Sequence, residues 1–243
     1  MSDMQGNECQ SSFRETPPPV LLALLGIISL FFVMQMLVPP FNRFAMAYLA
    51  MDTTTFLAKG YLWQPLTAIF LHGNLFHYLG NMMFLYFFGL TLAQHWRPRE
   101  FLLYFLGCGL ASSLCFYGFH QALVLLCGAP PASGIGASGA IFGLMLAYGM
   151  MFGERYIQFL FIPMKAKYAV AICVAIEILL LVAGTQDGVG HIAHLAGGIA
   201  GALCLKLVWK LRDRQAGVST RKARAASRIA GLEVMSDDHH HQT

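Results

Sequence analysis

The sequence predicts an all-α membrane protein, a bundle of six transmembrane helices with a long, partly embedded first loop. Composition is the first observation behind this. Of 243 residues, 57% are hydrophobic and 12% charged, against about 25% charged in a soluble domain. Length is the second, since several apolar runs reach the roughly 20 residues that carry a helix across a bilayer. Charge asymmetry is the third. With the N-terminus inside and an even number of spans, every Lys and Arg lies on the inner side except Arg43 and Lys59. An odd number of spans breaks this pattern.

Residues 1–18 read as a cytoplasmic N-terminal segment. Asp3, Glu8 and Glu15 outweigh Arg14 there, the wrong sign for a secretory signal, and no A-x-A site follows. Nor is the segment an Arg-rich, acid-poor mitochondrial leader. The first apolar run, 19–38, is therefore expected to stay as an anchor, closed by Pro39 and Pro40. A loop over 41–74 follows, rich in aromatics and too interrupted to span. Further spans are drawn at 75–95, 101–125, 138–153, 168–184 and 190–209, so that 19–209 make one membrane domain. The basic tail, 210–243, is polar and expected to be flexible. His239, His240 and His241 within it read as a tag fragment or disordered tail rather than a metal site. The six cysteines, Cys9, Cys108, Cys115, Cys127, Cys173 and Cys204, form no C-x-x-C pair and mostly lie in apolar runs, where they act as small hydrophobes. The net charge of +4 comes mostly from inner loops and tail and does not point to nucleic acid. Both termini are expected in the cytoplasm, with the protein in the cell's inner, plasma membrane.

Depth locates the chemistry. Span four runs from Ser138 to Gly153 and meets Glu154 and Arg155, a length of about 24 Å at 1.5 Å per residue. That is short of the roughly 30 Å hydrocarbon core, so Ser138 should start its helix below the outer surface. Irregular backbone such as GIGASG is tolerated at that depth only inside protein or beside a water-filled cavity. Asn81 precedes Arg97, and His194 precedes Lys210, by the same interval. His77 lies one turn outward of Asn81 on the same face. Gly197 and Gly201, and likewise Gly139 and Gly143, have the G-x-x-x-G spacing that lets membrane helices pack backbone to backbone. Spans four and six should therefore bring Ser138 and His194 together.

A serine alcohol needs an adjacent base to become a nucleophile, and imidazole is the usual one. A tetrahedral intermediate needs donors aimed at its oxyanion. The Ser138 N–H at the positive end of its helix, the Asn81 amide and His77 are the candidates. Measured from Lys167, Glu177 lies too deep by more than a turn to orient His194, and Asp187 lies about 10 Å above it. A Ser–His dyad is the expectation.

HGNLFHYLGN (72–81), GASG (136–139) and AHLAGGIAG (193–201) resemble, in order and in spans, the rhomboid intramembrane serine proteases; WQPLTAIFLH (63–72) is similar to the end of their first loop. The resemblance covers about residues 19–209. It implies six helices around a water-filled cavity, no cofactor and no metal. It implies Ser138 as nucleophile, His194 as base, and His77, Asn81 and the Ser138 N–H as oxyanion hole. Phe142 would stack on His194, and Gln64 stands where many members carry arginine. The substrates implied are single-span transmembrane proteins, cut in or near their membrane segment. Access is expected past span five, whose packing on span two opens laterally. His72 reads as structural, and the glycine register favours His194 over His191. Two alternatives stand beside this reading. One is a catalytically silent rhomboid-like protein that binds membrane clients. The other is a membrane metalloenzyme, since His72 with His77 and His191 with His194 echo the histidine pairs of di-iron desaturases; against it, no third histidine cluster falls within a span and no H-E-x-x-H occurs.

Overall fold

The computed structural model describes residues 16–159, 161–184 and 190–210. The segment up to and including Glu15, Asp187 and the basic tail after Lys210 with its three histidines lie outside those residues. The chain divides into two compact units, Met1–Ala202 and Leu203–Thr243, and every residue of the site below belongs to the first.

Helix α1, Pro19–Leu37, begins with a proline at its first position, where the missing N–H removes no intrahelical bond. The same rule explains a departure from the sequence reading. Pro39 and Pro40 end one helix but also start another, α2, Pro39–Tyr48, so the loop of 41–74 begins as helix. It continues through a short strand β1, Met51–Asp52, a single helical turn α3, Gln64–Thr67, and a 3₁₀ turn, Ala68–Phe70. Helix α4, Leu75–His95, is capped by Asn74, whose side-chain oxygen accepts from the His77 N–H at 2.9 Å. Helix α5, Pro98–Cys127, leads to the short strand β2, Ser133–Gly134, and then to α6, Ser138–Phe152. A hairpin of β3, Tyr156–Phe159, and β4, Ile162–Lys165, precedes α7, Ala166–Ala183. The last described helix, α8, is His191–Lys210. Among the described residues α1, α4, α5, α7 and α8 are long and apolar enough to cross a membrane, and α6 is a shorter apolar helix.

The first loop is folded rather than loose, and Gln64 is its knot. That side chain is fully buried, donates to Thr55 Oγ1 at 2.8 Å and accepts from the Asp52 N–H at 3.4 Å. Trp63 Nε1 donates to the Tyr48 carbonyl at 2.8 Å, and Thr67 Oγ1 to that of Leu49 at 2.7 Å. The loop then carries the segment leading to Ser138. β1 pairs antiparallel with β2, Met51 opposite Gly134 and Asp52 opposite Ser133. Ser133 Oγ donates to Asp52 Oδ2 at 2.6 Å, and the Gly136 N–H to the Ala68 carbonyl at 2.9 Å.

Helix α6 packs against α4, α5 and α7, while α4 and α7 scarcely touch each other. Lipid offers no hydrophobic gain for helix association, so close van der Waals packing has to supply it. Glycine makes that approach possible. A Cβ on Gly197 would land on the Gly139 carbonyl oxygen, and one on Gly201 would come within 2.9 Å of the Gly143 Cα. The Gly143 carbonyl in turn accepts from the Tyr104 hydroxyl at 3.0 Å. At the far end the Lys167 N–H donates to the Gly153 carbonyl at 3.0 Å, fixing α7 against the end of α6. Glu154 pairs there with Lys165 Nζ at 2.8 Å and with Lys167 Nζ.

Candidate active site

Ser138 is the first residue of α6, so its N–H belongs to the turn whose donors have no intrahelical partner. The chain enters that turn through Gly136 at φ +124°, a backbone conformation open to glycine and strained for other residues. Space is short there as well, because a Cβ on Gly136 would lie 2.7 Å from His77 Nε2. Ser138 Oγ lies 2.7 Å from His194 Nε2, within hydrogen-bond reach. Phe142, one helical turn after Ser138, stacks on the His194 ring at 5.0 Å between centroids and 6° between planes. The imidazole is thus gripped from one face while its Nε2 meets the alcohol.

On α4, His77 and Asn81 face the same space. The Gly73 N–H reaches His77 Nδ1 at a long 3.5 Å. With Nδ1 accepting, the ring proton sits on Nε2, the nitrogen that faces Gly136. Asn81 spends one amide hydrogen on the His77 carbonyl at 2.7 Å and keeps a second, while its buried Oδ1 has no protein partner. His72 lies behind, its ring 5.0 Å from that of His77 and its backbone N–H bonded to Gln35 Oε1 at 3.1 Å. Burial pushes its imidazole down to about 3, with His77 adding to the effect, so His72 is neutral near pH 7.

The largest departure from the sequence reading is Glu177 of α7. Its Oε2 lies 2.7 Å from His191 Nδ1 and 3.1 Å from His194 Nδ1. A ruler along helix axes measures Cα height. It leaves out the reach of a glutamate and a histidine side chain extending toward each other across the gap between two helices. The glycine register favours His194 over His191, yet His191 is buried and holds the same carboxylate. One signal could have revealed the group: an acid in mid-helix is costly in a membrane and implies a partner at its level. The donor atoms of Glu177, His191 and His194 lie within 4.8 Å of one another, a set that matches metal-ligand chemistry as well as hydrogen bonding.

Most of these groups, though not His191 or His72, line a cavity of about 810 Å³. Ser138, His194, His77, Asn81 and Glu177 are among its polar lining, and Phe84 of α4, Met145 of α6 and Ile176 of α7 are among its apolar walls. Such a site can hold water and a polypeptide segment beside an alcohol that has its own base.

A family model described as the Rhomboid domain matches residues 59–211. The chain is also similar to curated proteins. It is 31% identical over 165 residues to RHOMBOID-like protein 1 of Arabidopsis thaliana, covering 68% of this chain and 39% of that protein. Identity to Rhomboid-like protease 2 of Toxoplasma gondii is 28% over 148 residues, 60% of this chain and 48% of that one. Rhomboid protein 1, mitochondrial, of Saccharomyces cerevisiae is 27% identical over 221 residues, 89% of this chain and 60% of that one. The chain therefore spans about half of the length of these relatives.

Proposed function

The chain belongs to the rhomboid family, a multi-pass membrane protein by its apolar helices, and we propose that it is an intramembrane serine endopeptidase acting on transmembrane proteins. The observation that carries this reading is the 2.7 Å contact between Ser138 Oγ and His194 Nε2 beside a cavity within the apolar bundle. In this reading Ser138 Oγ attacks the scissile carbonyl carbon as its proton passes to His194 Nε2. The Ser138 N–H, His77 Nε2–H and the second Asn81 hydrogen stabilise the oxyanion. His194 then protonates the leaving amine. A water from the cavity, deprotonated by His194, hydrolyses the acyl-enzyme and frees Ser138.

The proposed substrates are single-span transmembrane proteins that bend into the cavity between α4 and α7. The excess of Lys and Arg on one side favours the proposed cytoplasmic termini, and the cell's inner membrane is the proposed location. The test is chemical. Purified protein in detergent should react with a fluorophosphonate at Ser138, lose the label in His194→Ala, and cut a model transmembrane substrate at a position read by mass spectrometry. Folded protein that takes no label and makes no cut would support instead a silent, client-binding family member.

A further inference from the structure

We infer that Glu177 is a positioning residue for His194, so that the reacting pair works as part of a Ser138–His194–Glu177–His191 chain. This rests on the protease reading above and deepens it.

The argument starts from the tautomer. To accept the Ser138 proton, His194 must have a bare Nε2, so its remaining proton sits on Nδ1. A buried Nδ1–H needs an acceptor, and an imidazolium formed during attack needs a counter-charge. His194 Nδ1 is buried, and Glu177 Oε2 at 3.1 Å stands beside it. At rest the two atoms are close without a formed hydrogen bond. In this inference the bond forms as the imidazole shifts during the reaction, since catalytic hydrogen bonds often tighten only once substrate is bound.

The carboxylate is itself held. His191 Nδ1–H donates to the same Oε2 at 2.7 Å, and that histidine is buried on the first turn of α8, one turn before His194. Phe142 covers one face of the His194 ring, which limits the direction of its turn. An acid within a membrane helix is costly unless it is partnered. A carboxylate that touches two imidazoles, one of them on the proposed nucleophile, has a reason for that cost beyond packing.

The experiment compares Glu177→Gln, Glu177→Asp and Glu177→Ala in the full chain, each checked by thermal melt in detergent. Cleavage of the model substrate should show kcat down at least tenfold in Glu177→Gln, toward the about 10⁴-fold loss seen when the orienting acid of serine proteases becomes its amide. KM should stay within about twofold, because the carboxylate does not bind substrate. Glu177→Asp should recover part of the rate. Added formate should raise turnover in Glu177→Ala, whose vacated place opens on the cavity, and not in Ser138→Ala. A merely structural role gives no formate rescue and no split between kcat and KM. Wild-type rates in folded Glu177→Gln would overturn the inference. So would wild-type activity that a chelator abolishes and Zn²⁺ restores, which would make the three groups a metal site. Failure of the protease reading looks different, since wild-type protein would then neither label nor cut.

Discussion

Gly136 sets the distance between His77 and the serine turn, and a side chain there has nowhere to go. Its φ of +124° is unfavourable for any other residue, and a Cβ would press on His77 Nε2 from 2.7 Å. Gly136→Ala should therefore fold with its helices intact while displacing one proposed oxyanion donor. Loss of one such donor lowers kcat by about 10²–10³-fold. Cleavage at the wild-type rate by a folded Gly136→Ala protein would show that His77 has no part in the chemistry. The sequence allows some of this to be seen beforehand. A serine flanked by small residues at the mouth of a short span, level with a histidine and an asparagine, can be counted out from the charged residues at the span ends. Glu177 could not be found that way. Its level depends on side-chain reach across two helices, and no spacing within one helix encodes that.

At the scale of elements, glycine spacing does most of the organising. Helices α6 and α8 meet where the backbones of Gly139 and Gly197 leave no volume for a methyl group, and main chain cannot yield as a flexible side chain would. Gly197→Ala should cost at least about 1–3 kcal/mol, the usual penalty for overpacking, seen as a lower melting temperature together with lost activity. Gly118 supplies the control. It lies in α5 with nothing within 4 Å of its would-be Cβ, so Gly118→Ala should leave melting unchanged or raise it slightly. Equal effects of the two substitutions would argue against backbone contact as the basis of this packing. Both G-x-x-x-G pairs are plain in the sequence, and the span ends fall within three residues of those drawn from prolines and charges. Helix α2 was hidden because a proline pair marks the end of one helix and the first turn of the next equally well. The short β1–β2 pairing was hidden too, because it joins residues 51 and 134, far apart in sequence.

For the molecule as a whole, the gap between α4 and α7 is where a transmembrane substrate fits our reading. Both helices lean on α6, both line the cavity, and neither holds the other. Cys173 of α7 lines that cavity. In a variant keeping only this native cysteine, a bifunctional thiol reagent joining it to a Phe84→Cys on α4 should slow cleavage of a full transmembrane substrate severalfold. A short soluble peptide should be cut at a rate closer to normal. Equal rates for the full substrate before and after joining would refute this route.

The brevity of α6 has a consequence for how the protein tolerates change. At 15 residues, about 22 Å, it cannot reach both membrane surfaces, and its neighbours screen it on several sides. Fat solubility therefore places little demand on it. Bulk, more than oiliness, should decide which replacements survive along this helix, whereas the exposed outer flanks of α1 and α7 should accept almost any greasy residue of any size.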